Sequence, residues 1–104
     1  MPIIRTNTGI VTQINVFRVP EGGQQALVEH LTEAAHVARE VPGWISVSLH
    51  RSHDGTRVVN YAQSESLDAA LRVIDRLRNA GLLDHKGLGE ASPGLYDVAF
   101  TLER

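Results

Sequence analysis

Three carboxamides stand where apolar residues would be expected. Gln13 and Asn15 interrupt TQINVF, and Asn60 interrupts RVVNYAQ, stretches otherwise rich in β-branched and aromatic residues. An amide –NH2 group donates to a developing oxyanion without titrating, so such residues suit the stabilisation of negative charge in an enclosed site. Left unpaired in a core, each would cost about 1–3 kcal/mol. They therefore imply a hydrated cavity, a ligand, or satisfaction by backbone groups near strand ends. Ser64 stands four residues past Asn60 and, in an extended strand, shares its face.

Other chemistry-bearing residues are less well placed. His50 and His53 form an HxxH at a turn with no third ligand nearby, a weak metal pattern, although His50 at a strand end can reach a pocket. His30 and His36 are six apart and do not share a helix face. His85 lies in a long glycine-containing connection, where it reads as a lid residue. The stretch GLGE (87–90) lacks the Lys-Ser/Thr that phosphate binding needs. Without cysteine, disulfides, thiolate nucleophiles and Cys-based metal or iron–sulfur sites are excluded. Redox chemistry must then come from a bound molecule or from the substrate itself.

The elements that position these residues follow from periodicity. Residues 9–19 alternate, with Val11, Gln13, Asn15 and Phe17 on one face and Ile10, Thr12, Ile14 and Val16 on the other, as in a strand covered on both sides. PEGG breaks it. Leu27, Leu31, Ala34, Ala38 and Val41 recur at helical spacing over 23–41, and Pro42-Gly43 ends that helix. WISVSLH (44–50) alternates, placing Ile45, Val47 and Leu49 opposite Trp44, Ser46, Ser48 and His50. Asp54-Gly55 signals a hairpin into TRVVNYAQ (56–63). Ser66 is an N-cap for a second helix with Leu67, Leu71, Ile74 and Leu77 along one stripe. Residues 82–94 read as a long, lid-like connection, and LYDVAFTL (95–102) as a final strand presenting Tyr96, Val98, Phe100 and Leu102 on one side.

The chain has 104 residues and reads as a single α+β domain, 1–104. The order β-α-β-β-α-β is the ferredoxin-like arrangement, a four-stranded antiparallel sheet with both helices on one face. Right-handed crossovers set the first and third strands side by side at its centre. The uncovered face would carry Ile14, Val16, Val59 and Tyr61, an apolar patch that calls for a partner and implies a homodimeric α+β barrel. Whether the Asn15 and Asn60 faces both meet the helices is not fixed by parity; if they do, two carboxamides converge in one apolar cleft. A net charge of −2 with scattered basic residues gives no footprint for nucleic acid. No apolar stretch approaches the roughly 20 residues of a membrane span, and MPIIRTNTG lacks a signal-peptide core, so a cytoplasmic location is expected.

The run VPGWISVSLHRSHDGTRVVNYAQSES, with QINVF before it, resembles the antibiotic biosynthesis monooxygenase family in the order of its Pro-Gly-aromatic strand, Leu-His-Arg-Ser strand end, Asp-Gly-Thr turn and Val-Val-Asn-Tyr-Ala-Gln strand. The resemblance extends to about residue 80 and implies a dimeric ferredoxin-like fold. It further implies a cofactor-free monooxygenase of aromatic polyketide biosynthesis, with molecular oxygen as co-substrate. In that chemistry an anthrone-type intermediate loses a proton and its anion reduces oxygen directly. The radical pair joins as a peroxide, which loses water to give a quinone. Asn15 and Asn60 match catalytic positions of the family; Gln13, Phe17, Trp44, His50, Ala62, Ser64 and Ala70 are the expected substrate-binding set. The haem-degrading branch of the superfamily needs an axial histidine on the second helix, and residues 66–80 contain none.

Ser64 departs from the pattern, since quinone-forming members commonly read NYAQW where this chain reads NYAQS. Ala70 replaces an aromatic found in some relatives. Both changes predict a wider, less aromatic pocket. A non-oxygenase tailoring enzyme (a cyclase, isomerase or ring-modifying enzyme) and a non-catalytic binding subunit stay open as alternatives at this level.

Overall fold

In the computed structural model, which describes residues 2–85 and 87–104, the chain forms β1 (Val11–Arg18), α1 (Gln24–Ala38), β2 (Trp44–Arg51), β3 (Arg57–Ser64), α2 (Leu67–Asn79) and β4 (Glu90–Tyr96). The strands make one antiparallel sheet of order β2-β3-β1-β4. This is the expected ferredoxin-like arrangement, with β1 and β3 paired at the centre. Its core is Phe17, Val19, Leu27, Leu31 and Val58, where the inward stripe of α1 meets β1 and β3.

The joints are set by local chemistry. Ser66 caps α2, its Oγ accepting from the Ala69 amide at 3.1 Å. Asp54 organises the β2–β3 hairpin by accepting from the Thr56 hydroxyl at 2.7 Å, the Thr56 amide at 3.0 Å and the Ser52 hydroxyl at 2.8 Å. Those bonds, the Thr56 hydroxyl first, hold its carboxyl well below the usual carboxylate range. Gly43 has φ of +93°, and a Cβ there would lie 2.6 Å from the Ala69 Cβ. Only glycine lets the α1–β2 turn pack this closely on α2.

Three elements differ from the sequence reading. The stripe on α2 is rotated: Ala69, Ala70 and Val73 are buried, while Leu67 and Leu71 face outward. The close approach of Gly43 demands small side chains beneath the helix, so the leucines turn away. The last strand is Glu90–Tyr96 rather than 95–102, because its partner β1 begins at Val11 and pairing ends at Thr12 opposite Tyr96. Beyond it the chain has no regular structure, and Phe100 and Leu102 are exposed. Finally, a β-bulge between Trp44 and Ser46 reverses the parity of β2, putting Trp44 on the same side as Val47 rather than opposite it.

Candidate functional site

The helix-facing surface of the sheet encloses a cavity whose floor is Gln13, Asn15 and Phe17 of β1, Asn60 and Ala62 of β3, and Trp44 and Val47 of β2. The two asparagine faces therefore do converge beneath the helices. Asn15 and Asn60 are direct cross-strand partners in the β1–β3 ladder, so their side chains stand next to each other on this floor. Small residues on the inner stripe of α1, Ala34, Ala35 and Ala38, leave the space above them, with Val73 and Leu77 of α2 closing one side. Leu82, Leu83 and His85 from the connection after α2 form the rim.

The two amides are held differently. Asn15 is buried, and its Oδ1 accepts from the Ser92 amide on β4 at 3.0 Å. Pro93 follows Ser92 and pairs opposite Asn15, so the edge strand lacks one ladder donor there and the side chain of Asn15 helps tie it to β1. With Oδ1 committed to β4, the –NH2 group is the polar end of Asn15 left for the cavity. Asn60 is half-buried and its side chain has no hydrogen-bond partner among the described residues. It thus reaches the cavity with both donor and acceptor capacity unspent.

Among the described residues, His85 is the titratable side chain of the lining. Its ring meets Phe17 edge-on at 4.8 Å and His30 of α1 edge-on at 5.4 Å. Its Nδ1 is sealed from solvent without a hydrogen-bond partner among the described residues. Burial, then the neighbouring His30, lower its pKa from the ordinary histidine value, against an opposing pull from Asp84. The His30 ring is itself anchored through Nε2 to the Leu82 carbonyl at 3.2 Å.

Of the residues expected at the site, Gln13, Asn15, Phe17, Trp44, Asn60 and Ala62 line the cavity. His50 does not: it lies on the opposite face of the sheet, with Nε2 3.0 Å from the Ser48 hydroxyl. The same two-residue period that turns Val47 and Leu49 inward turns His50 out. Ser64 and Ala70 are buried but lie outside the lining. Ser64 pairs with Trp44 across β2–β3, so the indole of Trp44 stands at the end of the floor where Ser64 has only a hydroxymethyl group. The alanines of α1 were legible as part of its inward stripe. The rim residues Leu82 and Leu83 carry no periodic signal and emerge only from the packing of the connection.

Among the described residues, no group of three or more His, Cys, Asp or Glu is placed to hold a metal ion. No helix among them is long and apolar enough to cross a membrane.

The family model for antibiotic biosynthesis monooxygenase matches residues 10–73. Over 67 residues the chain is 39% identical to tetracenomycin-F1 monooxygenase of Streptomyces glaucescens, a match covering 64% of this chain and 60% of that protein. The matched region thus spans less than two thirds of that curated relative. The fold superposes on the ActVA-Orf6 monooxygenase of Streptomyces coelicolor, solved with nanaomycin D, with a TM-score of 0.75, 33% identity and 93% of each chain covered. It also superposes on SnoaB, a cofactor-independent oxygenase from Streptomyces nogalater, with a TM-score of 0.74, 25% identity, and 92% of this chain and 99% of that one covered.

Proposed function

This chain belongs to the antibiotic biosynthesis monooxygenase family, and from that premise we propose that it is a cofactor-independent monooxygenase acting on an aromatic polyketide intermediate of the anthrone type. The observation that carries this reading is the side-by-side pair Asn15 and Asn60 on the floor of an otherwise apolar cavity. In the reaction an activated methylene and O2 become a carbonyl and water. The intermediate anion places negative charge on oxygen, and two amide donors in a water-poor site stabilise it. The apolar walls orient the ring system and keep the peroxide from solvent.

The cavity holds about 60 Å³ of water-accessible space, room for roughly four or five waters and far less than a tricyclic ligand needs. Binding then displaces the rim leucines Leu82 and Leu83, which act as the lid. Oxygen uptake and quinone absorbance on mixing the protein with 1,8-dihydroxyanthrone, without added metal, flavin or haem, test the reading. A folded protein with no rate above background refutes it.

The half-buried apolar residues Ile14, Val16, Val59 and Tyr61 on the helix-free face, together with exposed Phe100 and Leu102 beyond β4, support a homodimer in which a second copy covers that face.

A further inference from the structure

We propose that His85 is the proton acceptor of this cavity, the group that generates the substrate anion. The inference rests on the monooxygenase reading above and supplies the step that reading leaves without an agent. Neither amide can do it, since a neutral carboxamide is not a base at physiological pH. Among the described residues that line the cavity, His85 alone has a side chain that takes up a proton near neutrality.

Geometry places it well. Its ring packs against Phe17, which is two residues along β1 from Asn15 on the same face. The base and the amide donors therefore face the same cavity, with Phe17 between His85 and Asn15. One end of a flat substrate can meet the imidazole while an oxygen at the other meets Asn15 and Asn60. His30 is excluded from the role because it does not line the cavity and its Nε2 is engaged by Leu82.

The surroundings keep His85 in the form a base requires. Protonation would put an N–H at both ring nitrogens, yet Nδ1 is buried with no partner among the described residues and a second imidazole stands 5.4 Å away, ring centre to ring centre. Among the described residues, the titratable groups bearing on it are His30 from α1 and Asp84 beside it in the chain, and β1 presents Phe17 to it. The first disfavours the imidazolium and the second favours it, with burial adding to the first. Its pKa thus lies below the ordinary histidine value, which favours the neutral form able to accept a proton.

In the proposed step the methylene C–H bond of the substrate breaks and its proton passes to an imidazole nitrogen of His85. The electron pair moves onto the conjugated carbonyl oxygen, which the two asparagines stabilise. The anion gives one electron to O2, and the two radicals join as a peroxide anion. The imidazolium returns its proton to form the hydroperoxide, which loses water to leave the carbonyl of the quinone. His85 ends as it began.

The test is oxygen consumption with 1,8-dihydroxyanthrone by wild type, His85→Gln and His85→Ala between pH 5 and 9, with folding followed by circular dichroism. We expect kcat to fall by about 10²-fold or more at pH 7 in both variants, with KM changed by less than about threefold. The wild-type profile should show an acid limb below pH 6.5 that the variants lack. Added imidazole should restore part of the rate to His85→Ala and none to wild type. Active wild type with variants of equal kcat and an unchanged acid limb overturns the role of His85 and leaves the monooxygenase reading standing. A wild type inert toward the anthrone overturns that reading, and this inference with it. If neither variant folds, the wild-type profile decides: a rate that falls on the acid side of pH 6.5 supports the assignment, and a rate that stays level down to the pH at which the protein unfolds overturns it.

Discussion

Asn60→Ala separates a catalytic amide from a structural one, because the structure gives this side chain no hydrogen bond to lose among the described residues. Asn60 is half-buried and borders a cavity, so truncating it orphans no donor or acceptor. Its stability cost is therefore that of a near-neutral substitution, within about 0.5 kcal/mol, or roughly 2–4 °C in Tm for a chain of this size. If its –NH2 group donates to the oxyanion, the same change should lower kcat by about 10²–10³-fold, or roughly 3–4 kcal/mol of transition-state stabilisation.

Asn15 provides the control. Its Oδ1 holds the Ser92 amide at 3.0 Å in a buried setting, so Asn15→Ala should cost about 1–3 kcal/mol of stability as well as activity. The two readouts are thermal unfolding by circular dichroism and steady-state oxygen uptake with 1,8-dihydroxyanthrone. An Asn60→Ala protein that loses more than about 1.5 kcal/mol while keeping its rate would refute the reasoning, since the amide would then be bracing the sheet.

Gly43→Ala should lower Tm by at least about 8 °C in thermal unfolding, since it combines a positive φ with a Cβ 2.6 Å from that of Ala69. Ser64→Trp sets a second indole directly across from Trp44 at a buried position, and should cost about 1–3 kcal/mol by overpacking. Pairing it with Trp44→Ala should restore most of that loss in the same melts, because one ring again fills that end of the floor. Val59→Glu puts a charge in the middle of the helix-free sheet face, and on the proposed homodimer should shift the protein from dimer to monomer by light scattering without loss of secondary structure.

Much of the fold follows from local pattern. Two-residue alternation in TQINVF and RVVNYAQ, helical spacing from Leu27 to Ala38, the Ser66 cap and the Asp54-Gly55 turn act over a few residues, so the order of elements and the pairing of β1 with β3 are readable from the chain. So too is the candidacy of Asn15 and Asn60, because an amide in an apolar run is costly wherever it is buried.

What the sequence left open was decided by packing. Alternation says which residues share a face of a strand, not which face meets the helices; the β1–β3 register made the asparagines neighbours, and the packing of α1 and α2 put them on the cavity side. A bulge after Trp44 broke the alternation, bringing the indole to the cavity while His50 stayed on the other side of the sheet. The final strand was displaced because EASPGLY, an exposed edge strand containing proline, carries no periodicity of its own and takes its position from β1. His85 shows the widest gap between the two levels. In the chain it is one histidine in a glycine-containing connection. Folded, it faces Phe17 and His30 from parts of the sequence far from it, and that long-range contact half-buries the imidazole, lowers its pKa and sets it at the rim of the cavity.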